Sequence, residues 1–193
     1  MFTALLDTSV LWPSLQRDFL LSLAIEGVYR PVWSAAILEE LKFHEAEKLV
    51  KRGATVAEGA RKAQHLIGQM RSNFDDAEVV GWEPLEGTFG LPDPDDEHVA
   101  AAAVIARAGA IVTENLRDFP PAKLPADLQV IPAAEFAFDS VSVDPTGSLR
   151  AVQAIVERSG RVGNQWTVND VLTLLEGRYG MTEAVAVLRA VID

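Results

Sequence analysis

Oxygen-bearing side chains stand directly after two short apolar segments that are typical of buried strands. Asp7 follows the apolar run 2–6, and the run that begins at Ala110 is followed by Thr113, Asn115 and Asp118. The carboxyl ends of parallel strands meet at one edge of an open α/β sheet, and ligands bind there. We therefore expect these side chains to converge on one site.

Further acids lie near the starts of two predicted helices. Glu39 and Glu40 lie about two turns into one, while Asp93, Asp95 and Asp96 precede another. Neighbouring helical residues point about 100° apart, so one of Glu39 and Glu40 can face the site while the other is solvated. The spacing alone leaves open which acids belong to the site.

Converging carboxylates repel one another unless a cation lies between them. Ligand sets made only of oxygen favour hard ions such as Mg²⁺ or Mn²⁺. Such ions lower the pKa of a bound water and stabilise the oxygens of a phosphodiester undergoing displacement. The acids therefore indicate metal-assisted hydrolysis at phosphorus.

Each of these residues also has a structural interpretation. Asp7, Asp95 or Asp96 can cap a helix, as acids at such positions often do. Asp118 can belong to a turn, Thr113 can be an ordinary β-branched strand residue, and His98 can lie on a helix surface.

The apolar patterning predicts short strands alternating with helices, hence a parallel sheet covered by helices. The predicted strands are 2–6, 28–33, 77–82, 110–113 and 128–131. The predicted helices are 11–26, 35–52, 55–72, 97–108, 148–159, 168–178 and 182–192. Ser34 is expected to cap the second helix and Thr55 to form a capping box with Glu58. Asp144–Gly147 is expected to be a linker or turn.

Composition suits one α/β domain with a small appendage. The 193 residues are 49% hydrophobic, contain no cysteine and include no long apolar run, so we expect a cytoplasmic protein that does not span a membrane. The net charge of −11, taken alone, argues against nucleic-acid binding, but the charges are segregated along the chain. Residues 75–97 carry nine acids and no Lys or Arg, whereas residues 42–71 carry seven Lys or Arg against three Glu.

Four segments in order resemble those of PIN domains, and together they span about residues 2–140. They are Leu5–Leu11 at the opening strand, Ile37–Leu41 on the first acidic helix, Asp95–Ala102 on the second, and Ile111–Pro120 at the closing strand. The resemblance implies a three-layer α/β/α PIN-like fold with a parallel sheet. It also implies a nuclease domain over residues 1–140 and a C-terminal helical extension over residues 141–193.

The same resemblance implies a site for Mg²⁺ or Mn²⁺ and the ligands within it. The matching acids are Asp7, Glu40 and Asp96. Asn115 stands where many members have a fourth acid, and Asp118 is the candidate to replace it. The residues implied to contact substrate or support the ligands are Thr8, Ser9, His98, Thr113 and Asn115.

The family is dominated by ribonucleases, and many members are VapC-type toxins of toxin–antitoxin pairs. The expected function is therefore metal-dependent endoribonuclease activity, with RNA as substrate, an antitoxin protein as partner and a homodimer as the assembly. The segment 163–167 resembles part of a helical extension carried by one branch of these toxins. The alternative is a catalytically weak or inactive PIN fold that binds RNA or protein. Asn115, at a position where many members have an acid, leaves this alternative open.

Two other classes fit the residues less well. A haloacid-dehalogenase-type phosphatase needs a second Asp two residues after Asp7, where Ser9 stands. A receiver-like signalling module needs a Lys after the fifth strand, where Pro132 follows Ile131.

Overall fold

The computed structural model describes residues 1–160 and 165–192, and the chain divides into two compact units. The sheet unit comprises Phe2–Trp12 and Pro31–Val130. The helical unit comprises Met1, Pro13–Arg30 and the described part of Ile131–Asp193. In the described part of the chain, no helix is both long and apolar enough to cross a membrane.

Five short strands form one sheet in the order β3-β2-β1-β4-β5. β1 runs parallel to β4, with Leu5 opposite Ile111, and β2 runs parallel to β3. The chain order along the sheet reverses between β1 and β4, which is where open α/β sheets bind ligands. The strands are β1 Thr3–Leu6, β2 Arg30–Ser34, β3 Glu78–Val79, β4 Ala110–Val112 and β5 Gln129–Ile131.

Helices alternate with these strands along the chain and four more of the described helices follow the last strand, so the predicted PIN-like α/β fold with C-terminal helices is confirmed. The helices are α1 Thr8–Leu11, α2 Ser14–Ile25, α3 Ala35–Lys51, α4 Val56–Asn73, α5 Glu97–Ile105, α6 Ala133–Val143, α7 Pro145–Ser159, α8 Val168–Tyr179 and α9 Thr182–Ile192. Short 3-10 helices cover Glu83–Leu85, Pro94–Asp96, Leu116–Asp118 and Pro121–Lys123.

Local hydrogen bonds start the two long helices of the sheet unit as predicted. The Ser34 side chain accepts from the backbone N–H of Ile37 at the start of α3. Thr55 and Glu58 form the capping box of α4, each side chain accepting from the other residue's backbone N–H. These caps satisfy N–H groups that the first turn of a helix leaves without partners. The Ser34 cap starts α3, which carries Glu40, directly after β2.

The helical unit gathers α2 with the four C-terminal helices. Arg158 pairs with Asp18 at 2.8 Å, and Arg150 pairs with Glu26 at 2.7 Å. Both contacts join α7 to the segment around α2. The helical unit therefore contains residues on both sides of residue 140, where the boundary between a nuclease domain and its helical extension is predicted. That boundary stays a prediction. Gly163 and Asn164 of the 163–167 segment lie outside the described residues.

Several predicted elements were wrong in extent. The predicted helix 11–26 is two helices, because Pro13 has no N–H to continue α1. The predicted third strand is limited to β3, and the chain turns at Gly81 with φ of 76°. The predicted linker Asp144–Gly147 instead begins α7, with the Asp144 side chain accepting from the N–H of Gly147. Helix α6 was not predicted.

Candidate active site

Asp7 lies at the carboxyl end of β1 and is held by three donors to its side chain. Its Oδ1 accepts from the N–H of Thr8 at 2.7 Å. Its Oδ2 accepts from the hydroxyls of Ser9 and Thr113, both at 2.7 Å. The residue is only 4% exposed. The carboxylate is therefore fixed in one orientation at the point where β1 and β4 end.

Asp7 is also the N-cap of α1, as its structural interpretation predicted. A cap needs one acceptor, however, and the bond to Thr8 supplies it. The hydrogen bonds that the Ser9 and Thr113 hydroxyls donate to Oδ2 are not needed for a cap. Since each carboxylate oxygen has two acceptor positions, Oδ1 keeps one beyond the bond from Thr8.

The hydroxyls of Ser9 and Thr113 join the two strand ends into one network. Ser9 Oγ accepts from the N–H of Glu114 at 3.0 Å, and Thr113 Oγ1 accepts from the N–H of Asn115 at 3.0 Å. The two hydroxyl oxygens are 3.2 Å apart. Thr113 is thus a buried part of the site rather than an ordinary strand residue.

Glu40 joins the network through both of its oxygens. Its Oε2 accepts from the Thr8 hydroxyl at 2.7 Å, and its Oε1 lies 3.1 Å from Nε2 of His98. Neighbouring Glu39 is exposed and pairs with Lys42. Of the two adjacent glutamates, Glu40 therefore faces the site and Glu39 is solvated.

His98 is buried, so its interpretation as a helix-surface residue was wrong. Burial lowers the pKa of His98, but the hydrogen bond and the negative charge of Glu40 outweigh it and raise the pKa above the ordinary value. Burial likewise raises the pKa of Glu40, while the bonds from His98 and Thr8 bring it below the ordinary value. The opposite shifts favour an ion pair between Glu40 and His98 in the site.

Asp96 occupies the N-cap position of α5, as its structural interpretation predicted, but its side chain accepts no capping hydrogen bond. Asp93 makes the local cap instead, accepting from the N–H of Asp95 at 3.0 Å. Burial and then the negative charges of Asp7, Asp118 and Asp93 raise the pKa of Asp96 to about 6. Asp96 therefore lies near enough to the other acids to be repelled by them.

A cavity of about 650 Å³ opens onto these groups. Its lining includes Asp7, Glu40 and Asp96 together with Thr8, Ser9 and Asn115. Asp118, on the 3-10 helix after β4, is not among the lining residues, although its charge acts on Asp96. Six of the predicted site residues therefore meet at one cavity. Thr113 and His98 are not in its lining, but they hydrogen-bond to Asp7 and Glu40, which are.

The donor chemistry of this cavity suits a hard divalent cation. Asp7, Glu40 and Asp96 supply carboxylate oxygens, and burial and then the neighbouring negative charges raise the pKa of Asp96. Within residues 1–160 and 165–192, no three His, Asp or Glu side chains are close enough together to hold an ion as they stand. A cation would thus be held with waters or after small side-chain movements, as carboxylate-poor Mg²⁺ sites commonly keep several waters.

Sequence reasoning missed two features next to the site. Glu97 is buried, and its carboxylate accepts from the N–H groups of Phe89 and Leu91 at 3.0 and 2.8 Å, which ties down the loop before α5. Trp12 and Lys48 line the cavity beside the acids. No local sequence pattern distinguishes Glu97 from its acidic neighbours. Trp12, at the end of α1, and Lys48, on α3, are far apart in the sequence and share a cavity only after folding.

Comparison with known proteins agrees with this geometry. No curated protein and no solved structure was found to match the chain. The sequence model of one family, described as the PIN domain, matches residues 3–117, a segment that carries Asp7, Glu40, Asp96 and Asn115. Because that match covers more than half of the chain, this protein belongs to the PIN domain family.

Proposed function

We propose that the protein is a Mg²⁺- or Mn²⁺-dependent ribonuclease that hydrolyses phosphodiester bonds. PIN domains are generally nucleases and typically use divalent metal ions. The observation that carries the proposal is that Asp7, Glu40 and Asp96 line one cavity, where burial and then the charges of Asp7, Asp118 and Asp93 raise the pKa of Asp96 to about 6. Carboxylates gathered in this way are suited to a cation.

The proposed ligands are Asp7, Glu40, Asp96 and Asp118, directly or through water. When bound, the metal would activate water and stabilise charge on the phosphodiester oxygens. Asp7 offers the acceptor position that remains at Oδ1, while Ser9 and Thr113 keep its carboxylate from turning. Thr8 and His98 hold the two oxygens of Glu40 in the same way.

Asn115 has a separate role in this proposal. It lines the cavity, and its backbone N–H is fixed to the Thr113 hydroxyl at 3.0 Å. An amide side chain can donate to a phosphate oxygen, which a carboxylate cannot do. Asn115 would thus position substrate where other members carry an acid, and Asp118 would supply the missing charge.

The biological assignment rests on the resemblance to VapC-type proteins. We propose RNA as the substrate, a role as the toxin of a toxin–antitoxin pair, an antitoxin protein as partner, a homodimeric assembly and a cytoplasmic location. We also propose residues 1–140 as the nuclease domain and residues 141–193 as its helical extension.

A second candidate function is a PIN-fold scaffold that binds RNA or protein without cutting it. Asn115 in place of an acid favours it, as does the finding that no three ligating side chains of the described residues are already gathered around one point. Affinity for a divalent ion separates the two functions, because a scaffold needs no metal.

The test is cleavage of a mixed RNA pool with Mn²⁺ or Mg²⁺ by wild type, Asp96→Asn and Asp95→Asn. Asp95 is the matched control, since it is exposed, adjacent to Asp96 and outside the cavity lining. We expect wild type and Asp95→Asn to cut, and Asp96→Asn or added EDTA to abolish cutting. Equal cutting by wild type and Asp96→Asn would refute the site, and no cutting by folded, partner-free protein would favour the scaffold.

A further inference from the structure

The cavity has a second end, formed by Trp12 and the last turns of α3. Trp12 is the C-cap residue of α1, with its N–H bonded to the carbonyl of Thr8 at 2.9 Å. It is 44% exposed and lines the cavity that contains Asp7. The single turn of α1 therefore links the fixed carboxylate at one end to an accessible indole at the other.

Lys48 holds Trp12 in position. Its Nζ donates to the Trp12 carbonyl at 3.2 Å and lies 5.6 Å from the centroid of the indole ring. Lys48 also pairs with Glu45 on its own helix. The indole is thus a partly exposed ring whose position is fixed by the Lys48 ammonium over it, an arrangement with the geometry of a cation–π contact.

One face of α3 leads from the acids to a cationic end. Glu40, His44, Glu47, Lys48 and Lys51 recur at the three- and four-residue spacing of a helix face, and all line the cavity. The eleven steps from Glu40 to Lys51 span roughly 16 Å at the rise of an α-helix. The cavity therefore extends along α3, from the site carboxylates at one end to Lys48, Lys51 and Arg52 at the other, where Glu47 is the acid among the cations.

The cations at that end are available to a ligand. Lys51 lies 3.6 Å from Glu47, but its side chain is 75% exposed, and such surface pairs contribute little. Arg52 is exposed, lines the cavity and makes no ion pair with any described residue. Phosphates could take the place of water at both residues.

We propose that Trp12, Lys51 and Arg52 form a binding subsite for single-stranded RNA, in which an unpaired base stacks on Trp12 while neighbouring phosphates contact the two cations. Single-stranded nucleic acids are bound by this combination of an aromatic platform and a basic groove. A paired base in a duplex is already stacked and cannot reach the indole. The inference rests on the proposed nuclease function and assigns to Trp12, Lys51 and Arg52 the contacts that hold the strand beside the acids.

The subsite is tested by binding of a fluorescein-labelled single-stranded RNA, followed by anisotropy in EDTA so that no cleavage occurs. Trp12→Leu keeps an apolar side chain without a π face, and Trp12→Phe restores one. Phe43→Leu is the matched control, because Phe43 is 60% exposed on α3 but is not in the cavity lining. We expect Trp12→Leu to weaken binding about tenfold, Trp12→Phe to recover most of it and Phe43→Leu to leave it unchanged.

Two further measurements complete the test. A duplex of the same sequence should bind wild type more weakly and should not respond to Trp12→Leu. Arg52→Gln should reduce the slope of log affinity against log salt by about 0.7, the value for one phosphate contact on a single strand. Arg61→Gln, on the exposed surface of α4 and outside the cavity lining, should leave that slope unchanged.

The outcomes separate this inference from the proposed function. Cleavage by wild type in Mn²⁺ with equal RNA binding by wild type and Trp12→Leu would overturn the subsite and leave the nuclease intact. Binding that depends on Trp12 without cleavage would support the subsite and refute the nuclease. Equal effects of Phe43→Leu and Trp12→Leu, or binding only of a protein partner at these residues, would overturn the subsite.

Discussion

The hydroxyl of Thr8 donates a 2.7 Å hydrogen bond to Oε2 of Glu40, across 32 positions of the sequence. Thr8 follows Asp7 directly, so one residue connects the first acid of the site, through its N–H, to the second acid, through its hydroxyl. Because Thr8 is only 7% exposed, water competes poorly for this bond. The relative positions of the two carboxylates therefore depend on a side chain that is not itself proposed as a ligand.

Replacing Thr8 by Val should lower the affinity for Mn²⁺ by about 10- to 100-fold, the usual cost of losing a group that orients a metal ligand. Valine keeps the shape of threonine but cannot donate to Glu40, so the glutamate loses one of its two contacts in the site. Isothermal titration of the purified protein with MnCl₂ measures the affinity.

Thr8→Ser serves as the control, because it retains the hydroxyl and should bind Mn²⁺ nearly as wild type does. Unchanged affinity in Thr8→Val would show that Glu40 is oriented without Thr8 or that it does not ligate the ion.

In the absence of metal, Asp96→Asn should stabilise the protein at pH 7. The folded pKa of Asp96 is about 6, above the ordinary value of 3.8, so its ionised form is disfavoured by folding. The resulting penalty is absent below pH 3.8 and is fully present above pH 6. After allowing for solvent screening, the gain at pH 7 should be on the order of 1 kcal/mol.

Urea unfolding in EDTA at pH 7 and at pH 4 measures this effect, and the difference between the variants should nearly vanish at the lower pH. Added Mn²⁺ should reverse the order at pH 7, because it stabilises wild type by binding to its folded state. A metal-free Asp96→Asn protein that is less stable than wild type at pH 7 would contradict the repulsion inferred at this site.

Glu97→Gln should destabilise the protein by about 1–3 kcal/mol at pH 7, the cost of leaving a buried donor without its partner. The two oxygens of Glu97 accept from the N–H groups of Phe89 and Leu91, and a glutamine amide offers only one acceptor oxygen. One backbone N–H would then face an NH₂ group. Glu86→Gln, on the same loop but exposed, should cost little.

The contribution of Glu97 should also depend on pH. Burial raises the pKa of Glu97, but the backbone N–H donors of the loop outweigh it and bring the pKa below the ordinary 4.5. The stabilisation is therefore fully present above pH 4.5 and is lost as the pH falls through the folded pKa. Chemical denaturation of wild type and Glu97→Gln between pH 7 and pH 3 should show their difference shrinking, and a constant difference would argue against a charged Glu97.

Much of the sheet unit follows from local sequence. The short apolar run before Asp7 predicts a buried strand, and the caps at Ser34 and Thr55 form among residues three apart. Such features need no distant partner, so spacing alone predicts them. The boundary at Pro13 could also have been predicted, because proline cannot continue a helix, but the apolar spacing across it favoured one long helix.

The sequence by itself determined the chain order of the five strands, the residue types that end them and the caps that start α3 and α4, since these depend on backbone sterics and hydrogen bonds between near neighbours. Only the tertiary structure decided that His98 is buried against Glu40, that Asp96 shares a charged environment with Asp7 and Asp118, and that Trp12 opens onto the same cavity as Lys51. Burial and electrostatic coupling depend on distances between segments far apart in the chain, and packing sets those distances.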